Sequence, residues 1–453
     1  MSPLDRTRLD RGDVAGLRVC VAGTGRAGAS AARVLTAAGA EVVTADRRDG
    51  TDQDLPAALD LVVTSPGWRP DQPLLQAAAA AGVPVWGDVE LAWRLRRTEA
   101  PWLGVTGTNG KTTTVQMLDS MLHAAGHRSV ACGNIGLPVL DAVLADEPYD
   151  VLAVEVSSFQ LHWMRTVRFR AAAVLNIAPD HLDWHGSMTA YASAKAAIWT
   201  GCPVPVFNAD DPTVARLARG LAGSVGFTTG EPSLGQLGVV DGALVSRSPL
   251  CSAPGTGAQR SKLAEVTDVR PAAPHNVANA LAAAALACAV EAAPAAVGAG
   301  LRAFTPGRHR IEVVATRGGT IYVDDSKATN PHATAASLGA FDRVVWIAGG
   351  LAKGAHFDDV VAGAAQRLRA AVLLGQDRAL VADALARHAP QIPVVVVERT
   401  DTGAMDDVVR AAADLAQPGD TVLLAPACAS MDMFRDYAAR GDAFAAAVGR
   451  LTS

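Results

Sequence analysis

Five lysines stand apart in a chain whose other basic residues are all arginine. The sequence holds 40 basic residues, and only five of them are lysines. Lysine provides a compact point charge, and its amine can lose a proton and react, which arginine cannot do. Four of the five lie in short polar motifs, namely Lys111, Lys195, Lys327 and Lys353, whereas Lys262 lies in a Gly/Ser-rich stretch. This placement indicates chemistry on phosphate groups.

The motif around Lys111 reads Gly107-Thr-Asn-Gly-Lys111-Thr112 and lies between an apolar strand and an amphipathic helix. Backbone N–H groups of such a loop can hold phosphates, while the lysine reaches the β and γ oxygens and the threonine hydroxyl binds Mg²⁺. The strict form of the motif would have a glycine at Val105. The residues expected to bind a nucleoside triphosphate here are Gly107, Thr108, Asn109, Gly110, Lys111, Thr112 and Thr113.

Two further residues near strand ends could hold a metal ion. Glu155 follows the apolar run 151–154, and His181 follows the predicted strand 171–176. A carboxylate at the carboxyl end of a strand beside a phosphate loop is well placed to bind Mg²⁺. Taken alone, a strand-end glutamate is usually only solvated, and a single histidine is usually structural. The neighbouring lysine motif favours the metal-binding interpretation.

A glycine pattern near the N-terminus predicts a second phosphate-binding turn. Gly23-Thr-Gly25-Arg-Ala-Gly28 follows a predicted strand at 18–22 and opens a helix, and Asp46 ends the next strand. These are features of the Rossmann fingerprint, in which glycines let the backbone approach a diphosphate at a helix N-terminus. The pattern alone fits a dinucleotide or another diphosphate such as a nucleotide-sugar. It also fits a tight turn that binds nothing.

Two polar turns in the last third of the chain could bind a carboxylate. Asp325-Ser-Lys327-Ala-Thr329-Asn330 ends one predicted strand, and Pro426-Ala-Cys-Ala-Ser430 ends the last one. An ammonium surrounded by small polar groups suits a substrate that carries a carboxylate. A capped turn without a ligand is the alternative for each segment.

Positioning these motifs calls for parallel α/β layers. Short β-branched runs alternate with Ala/Leu-rich helical stretches along the chain, which is typical of α/β folds. We expect three domains: a Rossmann-like domain at 1–97, a central P-loop-type ATPase domain at 98–305 and a Rossmann-like α/β domain at 306–453. The pattern also predicts an Ala-rich helix after Pro274, and a hairpin at 237–245 in which Asp-Gly suits a type I′ turn. Strands of the third domain are predicted at 320–324, 344–348, 371–374, 394–397 and 421–425.

Composition argues against several classes of protein. A formal charge of −5 and the absence of a Lys/Arg run disfavour a nucleic-acid binder. The six scattered cysteines suggest neither a zinc site nor a disulfide framework, which fits a reducing cytoplasm. The start of the chain has no signal-peptide core, and the apolar stretch 280–290 is shorter than the ~20 residues of a membrane span. We expect a cytoplasmic monomer that is not inserted into a membrane.

Four motifs together resemble the Mur ligases of peptidoglycan synthesis. They are Gly107-Thr-Asn-Gly-Lys-Thr112, Gly133-Asn-Ile-Gly136, Glu155-Val-Ser-Ser158 and His275-Asn-Val-Ala-Asn279. The resemblance extends over nearly the whole chain. The turns at 325–330 and 426–430 are similar to those of the D-glutamate-adding members, whereas the Asp-Asn-Pro-Arg motif of the diaminopimelate-adding members is absent from the sequence.

This resemblance implies an ATP-dependent ligase that joins D-glutamate to UDP-N-acetylmuramoyl-L-alanine through an acyl phosphate. It implies two Mg²⁺ ions, one at Thr112 and Glu155 and a second at His181 and a carbamylated Lys195. The catalytic residues would be Lys111, Glu155, His181 and Lys195. Besides the Lys111 loop, the resemblance implies nucleotide contacts from Asn276, Asn279, Arg310 and Asp325.

The two other substrates are assigned to the outer domains by the same resemblance. The uridine diphosphate part of the acceptor would contact Gly25, Arg26, Ala27, Asp46, Arg47, Arg48 and Ser65, with Asn134 touching the same molecule. D-glutamate would contact Lys327, Thr329, Lys353, Ser430 and Tyr437. Tyr437 stands where a phenylalanine is familiar in the family.

Three alternatives differ from this interpretation. A nicotinamide-dependent oxidoreductase would explain the glycine pattern at 23–28 but leaves the motifs of Lys111 and Lys327 without a role. A non-catalytic nucleotide-binding regulator would be expected to lack key ligands, yet Lys111, Glu155, His181 and Lys195 are all present. A folylpolyglutamate synthase or another Mur ligase would share the fold, and the motif at 325–330 weighs against it.

Overall fold

The protein is described by a computed structural model covering residues 9, 12–51, 53–251 and 260–451. The segment used above to argue against a signal peptide lies outside the described residues, as does part of the loop that follows Cys251. Contacts within the chain divide it into two compact units. The first comprises Met1–Val269 and Asn276–Phe304, and the second comprises Arg270–His275 and Thr305–Ser453.

Among the described residues of the first unit, four parallel strands form one sheet in the order β2-β1-β3-β4. The chain leaves β1 toward β2 on one side and reaches β3 on the other. The carboxyl ends beside such a switch in strand order are where open α/β sheets bind ligands, and the glycine turn follows β1 there. The elements are β1 (Arg18–Ala22), α1 (Arg26–Ala37), β2 (Glu41–Ala45), β3 (Leu61–Thr64), α2 (Pro73–Ala80), β4 (Val85–Gly87) and α3 (Asp88–Leu95).

A larger sheet of the same unit has the order β13-β12-β11-β10-β9-β8-β5-β7-β6 in the described part of the chain. The pairs from β6 to β11 are parallel, and β11, β12 and β13 pair antiparallel. Its strands are β5 (Trp102–Thr106), β6 (Ser129–Gly133), β7 (Val151–Glu155), β8 (Ala171–Val174), β9 (Val204–Asn208), β10 (Val225–Phe227), β11 (Gln236–Val240), β12 (Ala243–Ser246) and β13 (Ser261–Glu265). The predicted hairpin is confirmed, since Asp241 and Gly242 join β11 to β12 with φ of 50° and 75°.

Helices cover the larger sheet, and the Ala-rich one is buried along most of its length. The helices are α4 (Lys111–Ala124), α5 (Val139–Val143), α6 (Ser158–Trp163), α7 (Leu182–His185), α8 (Met188–Ala196), α9 (Pro212–Leu217), α10 (Pro274–Cys288) and α11 (Pro294–Ala303). The apolar face that the pattern predicts for α4 consists of Val115, Leu118, Met121 and Leu122. All four are buried, and Met117 is buried as well. Helix α11 packs closely on α4, because a Cβ on Gly300 would lie 2.5 Å from the Met121 Cα.

The second unit contains the third sheet, whose described strands have the order β14-β15-β19-β16-β17-β18. Only the β14–β15 pair is antiparallel among these pairs. The strands are β14 (Glu312–Arg317), β15 (Thr320–Asp324), β16 (Val344–Gly349), β17 (Leu368–Leu374), β18 (Val394–Val396) and β19 (Thr421–Leu424). The helices are α12 (Pro331–Leu338), α13 (Asp358–Ala364), α14 (Arg378–His388), α15 (Ala404–Leu415) and α16 (Tyr437–Arg450). The short segment 270–275 belongs to this unit and contributes Ala273 to its hydrophobic core.

The α/β class predicted from the sequence is confirmed, with two additions that the pattern did not indicate. The first is strand β14, which adds an antiparallel edge to the third sheet. The second is a disulfide between Cys251 and Cys288, whose Cα atoms lie 5.2 Å apart. The expectation that the cysteines form no disulfide is therefore wrong for this pair. Its members are 37 residues apart in sequence, so local spacing carried no signal of their contact.

Within the part of the chain that the structure describes, no helix combines the length and apolar character needed to cross a lipid bilayer.

Candidate active site

The phosphate loop is anchored to the end of the neighbouring strand β8. The Thr108 N–H donates to the Asn176 carbonyl (2.9 Å), and the Asn109 N–H donates to the Asn176 Oδ1 (2.8 Å). The Asn176 Nδ2 in turn donates to the Asn109 carbonyl (3.0 Å). These contacts occupy the amides of Thr108 and Asn109. Helix α4 begins directly after this loop, and the N-terminus of a helix favours a bound phosphate.

The turn into α4 depends on a glycine. Gly110 has φ of 86°, a left-handed conformation that glycine adopts without strain. A Cβ at this position would lie 2.3 Å from the Asn279 Oδ1. The Asn279 Nδ2 also donates to the Asn276 Oδ1 (3.3 Å). Both asparagines assigned to the nucleotide are therefore buried, and Asn279 lies directly against the phosphate loop.

Lys111 lies back along its own loop in this structure. Its Nζ donates to the carbonyls of Gly107 (2.8 Å) and Thr108 (2.9 Å). Carbonyl oxygens are weaker acceptors for an ammonium than charged phosphate oxygens are. The side chain is thus positioned at the loop, with an ammonium that could exchange these contacts for phosphate oxygens.

Thr112 and Glu155 meet at the carboxyl end of the sheet, as the sequence predicts. Val105 pairs with Glu155 across β5 and β7, which brings the strand end beside the phosphate loop. The Thr112 Oγ1 donates to the Glu155 Oε2 (2.8 Å), and the Asn134 Nδ2 donates to its Oε1 (2.8 Å). Glu155 is only 2% exposed. A half-buried hydroxyl in contact with a buried carboxylate forms an oxygen-rich pair of the kind Mg²⁺ prefers.

Lys195 is buried beside the same loop. It is 2% exposed, its Nζ donates to the Gly107 carbonyl (2.8 Å), and it lies 4.6 Å from the centre of the Tyr191 ring. Burial lowers the pKa of Lys195 well below its ordinary value, and the nearby charge of Lys111 lowers it further. The amine is therefore easier to deprotonate than a surface lysine.

His181 lies at the mouth of this group rather than inside it. Its backbone is left-handed, with φ of 52°, and its side chain is 48% exposed. Its ring packs against Phe159 with centroids 4.8 Å apart. Burial lowers the pKa of His181, the Asp180 charge opposes that shift, and the ammoniums of Lys111 and Lys195 add to it. A neutral imidazole is the form that can bind a metal ion.

The glycine turn of the first sheet has the predicted geometry. The Asp46 Oδ2 accepts from the Thr24 N–H (2.8 Å) and hydroxyl (2.6 Å), and its Oδ1 accepts from the Arg48 Nε (3.0 Å). A Cβ on Gly28 would lie 1.7 Å from the Gly23 carbonyl oxygen, so the third glycine of the pattern is needed for packing. The Ser65 Oγ donates to the same carbonyl (3.0 Å). Asp46, Arg48 and Ser65 thus surround one turn.

The residues assigned to D-glutamate follow three neighbouring strand ends of the third sheet. Lys327 follows β15, Ser430 follows β19 and Lys353 follows β16, and these strands are adjacent and parallel. The Lys327 Nζ lies 4.0 Å from the centre of the Tyr437 ring, and Leu351 bridges to Ala429, beside Ser430. The structure therefore brings the predicted turns to one edge of the sheet.

Asp325 and Arg310 lie in a strained part of the second unit. His309 and Ile311 both have positive φ, of 63° and 50°. A positive φ is most unusual for Ile311, because its side chain is β-branched. The Asp325 Oδ1 accepts from the Ile311 N–H (3.3 Å), and the Ser337 hydroxyl donates to the same carboxylate. Burial raises the pKa of Asp325 to about 6. Such strain is concentrated at functional sites.

Several residues that support the site were not singled out by their sequence pattern. Asn176 anchors the phosphate loop, and the Tyr191 hydroxyl lies 3.1 Å from the Thr108 Oγ1. Gln160 and Asp88 are joined by a buried hydrogen bond, and Arg440 is buried against the turn at 325–327. Asn176 ends a predicted strand, which is a weak signal, but the others are identified only by contacts between distant segments.

Two protein families match this chain. Residues 105–287 match the Mur ligase middle domain, and residues 309–428 match the glutamate ligase domain of Mur ligases. The UDP-N-acetylmuramoylalanine--D-glutamate ligase of Streptomyces coelicolor is 56% identical, over 97% of this chain and 99% of that protein. The chain belongs to the UDP-N-acetylmuramoylalanine--D-glutamate ligase family. The resemblance stated from the motifs is thus confirmed.

A second member of this ligase family gives the same result. The protein of that name from Streptomyces avermitilis is 57% identical, over 96% of this chain and 98% of that protein. Among solved structures, UDP-N-acetylmuramate-alanine ligase MurC from Thermotoga maritima has the same fold, with a TM-score of 0.59 at 19% identity, covering 96% of this chain and 99% of that one. The chain is therefore a multi-domain α/β enzyme of the ligase class, and the oxidoreductase interpretation is wrong.

Proposed function

We propose that this ligase uses ATP to join D-glutamate to UDP-N-acetylmuramoyl-L-alanine in peptidoglycan precursor synthesis. The observation that carries the proposal is the contact of Thr112 with Glu155 beside the Lys111 loop. Oxygen ligands and an ammonium beside one loop support the binding of a Mg²⁺-bound nucleotide there. The names of the closely similar relatives supply the acceptor and the amino acid.

The reaction must make a carboxylate reactive toward an amine in water. An oxygen of the acceptor carboxylate attacks the γ-phosphorus of ATP, which gives an acyl phosphate and ADP. The amine of D-glutamate then attacks the acyl carbon, and a tetrahedral intermediate collapses to the amide and inorganic phosphate, with loss of a proton from the nitrogen. The difficulty of the first step is electrostatic, because two like charges 4 Å apart repel by about 4 kcal/mol at an effective dielectric constant near 20.

The residues at the start of α4 would reduce that repulsion. The Lys111 ammonium would leave the Gly107 and Thr108 carbonyls for the β and γ phosphates. The first amides of α4 would donate to the same phosphates, where the helix dipole also favours negative charge. Asn276 and Asn279, which contact each other beside Gly110, would form the adenine side of the site. Arg310 and Asp325 are assigned to the nucleotide by the family resemblance alone.

The donor set around Glu155 fits a magnesium ion. Thr112 and Glu155 offer a hydroxyl and a carboxylate, both hard oxygen ligands. When bound, the ion would neutralise phosphate charge and hold the transferred group in line. Asn134 would keep the Glu155 carboxylate oriented through its 2.8 Å hydrogen bond.

A second ion would fit only if Lys195 is modified. An ammonium beside His181 would repel a cation, whereas a carbamate formed from the neutral amine and CO₂ provides an anionic oxygen ligand. The burial of Lys195 and its proximity to Lys111 both favour the neutral amine that this chemistry requires. We propose that Lys195 carries this carbamate and that His181 completes the second site.

The acceptor would be bound at the first sheet and the amino acid at the third. The turn formed by Asp46, Arg48 and Ser65 would take the uridine diphosphate, with Gly25, Arg26, Ala27 and Arg47 beside it. At the third sheet, Lys327 would pair with a carboxylate of D-glutamate, and Ser430, Thr329, Lys353 and Tyr437 would complete the site. The domain bounds 1–97, 98–305 and 306–453 belong to this proposal, as do a monomeric state and a cytoplasmic location.

Phosphate release under controlled mixtures of substrates tests the proposed reaction. We expect release only when ATP, Mg²⁺, UDP-N-acetylmuramoyl-L-alanine and D-glutamate are all present. Phosphate leaves only when the amine of D-glutamate attacks an acyl phosphate already formed from ATP and the acceptor. Omission of each component in turn serves as the control. Equal turnover with meso-diaminopimelate or L-alanine in place of D-glutamate would refute the assigned amino acid.

A further inference from the structure

The two turns assigned to the amino acid are joined by one buried arginine. Lys327 and Ser430 follow different strands, β15 and β19, so their spacing depends on what lies between the turns. Arg440, on helix α16, is 1% exposed. Its Nε donates to the Ser326 Oγ (2.9 Å), its Nη2 to the Ser326 carbonyl (2.9 Å) and its Nη1 to the Cys428 carbonyl (3.1 Å). One guanidinium thus bridges the residue before Lys327 and a residue of the Ser430 turn.

This contact makes use of what distinguishes arginine from lysine. A guanidinium is planar and presents five donors in a fixed fork, so it can fix two separate carbonyl groups at once. A lysine ammonium is a single point at the end of a flexible chain and cannot reproduce that spacing. Burial lowers the pKa of Arg440 to about 10, so the group remains charged at neutral pH. These hydrogen bonds run from a charged donor to uncharged oxygens, which makes them stronger than neutral ones.

The first turn is also held from its other side. The His309 Nδ1 lies 2.6 Å from the Asp324 Oδ2, and the Asp324 Oδ1 accepts from the Ser326 N–H (2.9 Å). Gly441 follows Arg440 directly, and a Cβ there would lie 2.2 Å from the His309 Nδ1. The backbone of α16 therefore packs directly against this pair, which fixes where Arg440 enters the turn.

We propose that Arg440 is a positioning residue that sets the distance between the Lys327 and Ser430 turns and thereby the affinity for the amino-acid substrate. The proposal rests on the proposed function in one respect, the assignment of Lys327 and Ser430 to D-glutamate. The alternative is that Arg440 only attaches α16 to the third sheet. The two differ in which kinetic constant responds to its replacement.

The test compares Arg440→Lys with two other variants by steady-state kinetics. We expect Arg440→Lys to raise the KM for D-glutamate about tenfold or more, because a small misplacement of substrate-binding groups weakens binding strongly. The KM for the UDP-linked acceptor should stay within about twofold. The KM for ATP should change less than that for D-glutamate, because the Asp325 carboxylate keeps its own contacts with Ile311 and Ser337. Arg450→Lys is the matched control, because Arg450 lies on the same helix with a 59% exposed side chain paired with Asp406. Lys327→Ala reports on the assigned site itself.

A measurement without substrates separates the inference from the proposed function. Amide hydrogen exchange should become faster in both turns, 325–329 and 426–430, in Arg440→Lys but not in Arg450→Lys. Ser326→Ala should raise the D-glutamate KM in the same direction, and its effect should not add to that of Arg440→Lys. If Lys327→Ala leaves the D-glutamate KM unchanged, the proposed site is wrong. If Lys327→Ala raises it but Arg440→Lys does not, or raises all three KM values equally, the positioning role is wrong.

Discussion

At the scale of single residues, the charge of Lys195 is the property of the site that a substitution tests most directly. It is buried, its amine contacts the Gly107 carbonyl, and its ordinary charge would oppose a metal ion at His181. A carbamate would reverse the sign of the charge at this position. The two states predict opposite responses to a substitution that preserves positive charge.

We predict that Lys195→Arg is nearly as inactive as Lys195→Ala. The loss of a ligand should lower kcat by about a hundredfold or more, because even loss of a residue that only orients a metal ligand costs about 10–100-fold. Arginine keeps the positive charge but cannot form a carbamate. Wild-type activity should fall after removal of CO₂ and return with bicarbonate, as steady-state phosphate release would show. A Lys195→Arg variant with wild-type turnover would exclude the carbamate.

At the scale of elements, the entrance to α4 joins a backbone requirement to ligand binding. Gly110 combines a left-handed conformation with direct contact to Asn279. We predict that Gly110→Ala weakens ATP binding about tenfold or more, because its Cβ would displace Asn279 as well as strain the turn by about 1–2 kcal/mol. Calorimetric titration with an ATP analogue measures the change.

The far end of the same helix supplies a matched control. Gly126 also has a left-handed backbone, with φ of 90°, but no atom lies within 4 Å of a Cβ placed there. Gly126→Ala should therefore lower thermal stability through strain and leave nucleotide affinity near that of the wild type. Equal loss of affinity in both variants would show that helix strain, rather than Asn279, is responsible.

A buried hydrogen bond links α3 to α6, the helix that follows Glu155. The Gln160 Nε2 donates to the Asp88 Oδ2 (2.9 Å), and the Gln160 Oε1 accepts from the Ser157 N–H (3.0 Å). Burial raises the pKa of Asp88 to about 6, which outweighs the opposite effect of the Gln160 hydrogen bond. The native state thus binds a proton more tightly than the unfolded chain, so the stability contributed by Asp88 falls as pH rises from about 4 to about 6.

We predict that Asp88→Asn removes this pH dependence. Asparagine can still accept from Gln160 but has no charge to bury. The melting temperature of the variant, relative to wild type, should rise when the pH is raised from 4.5 to 7. Thermal unfolding followed by circular dichroism measures it, with the exposed Asp146→Asn as control. A constant difference across that pH range would contradict a neutral buried Asp88.

At the scale of the whole molecule, the sequence patterns predicted the contacts that are made between neighbouring strand ends or within one short motif. The contact of Thr112 with Glu155 could be predicted, because parallel strand ends meet at one edge of a sheet. The hairpin at Asp241–Gly242 could be predicted from the turn chemistry of two residues. Strand β14 was missed because it pairs antiparallel in a sheet whose other described pairs are parallel. Which residues of neighbouring strands lie opposite each other could be read only from the structure.

Contacts between distant segments explain what sequence reasoning could not predict. Asp88 and Gln160 are 72 residues apart, and Arg440 is 114 residues from Ser326. A polar residue at any of these positions is compatible with a solvated surface, so the sequence pattern does not indicate that the residue is buried. The same holds for Cys251 and Cys288, because cysteine spacing does not determine which thiols meet. Such partners are set by packing rather than by local propensity.

Residues 270–275 belong to the second unit, and this affects how the chain can be divided into fragments. A fragment cut at the predicted boundary before residue 306 would contain the third sheet but lack Ala273, which packs in its hydrophobic core. It would expose the apolar surface that Ala273 covers, while the other fragment would keep a short apolar segment without its partner. The second unit is thus discontinuous along the chain. Residues 270–275 leave the ribosome before most of α10 and all of α11, so they are made well before the rest of the core in which they pack.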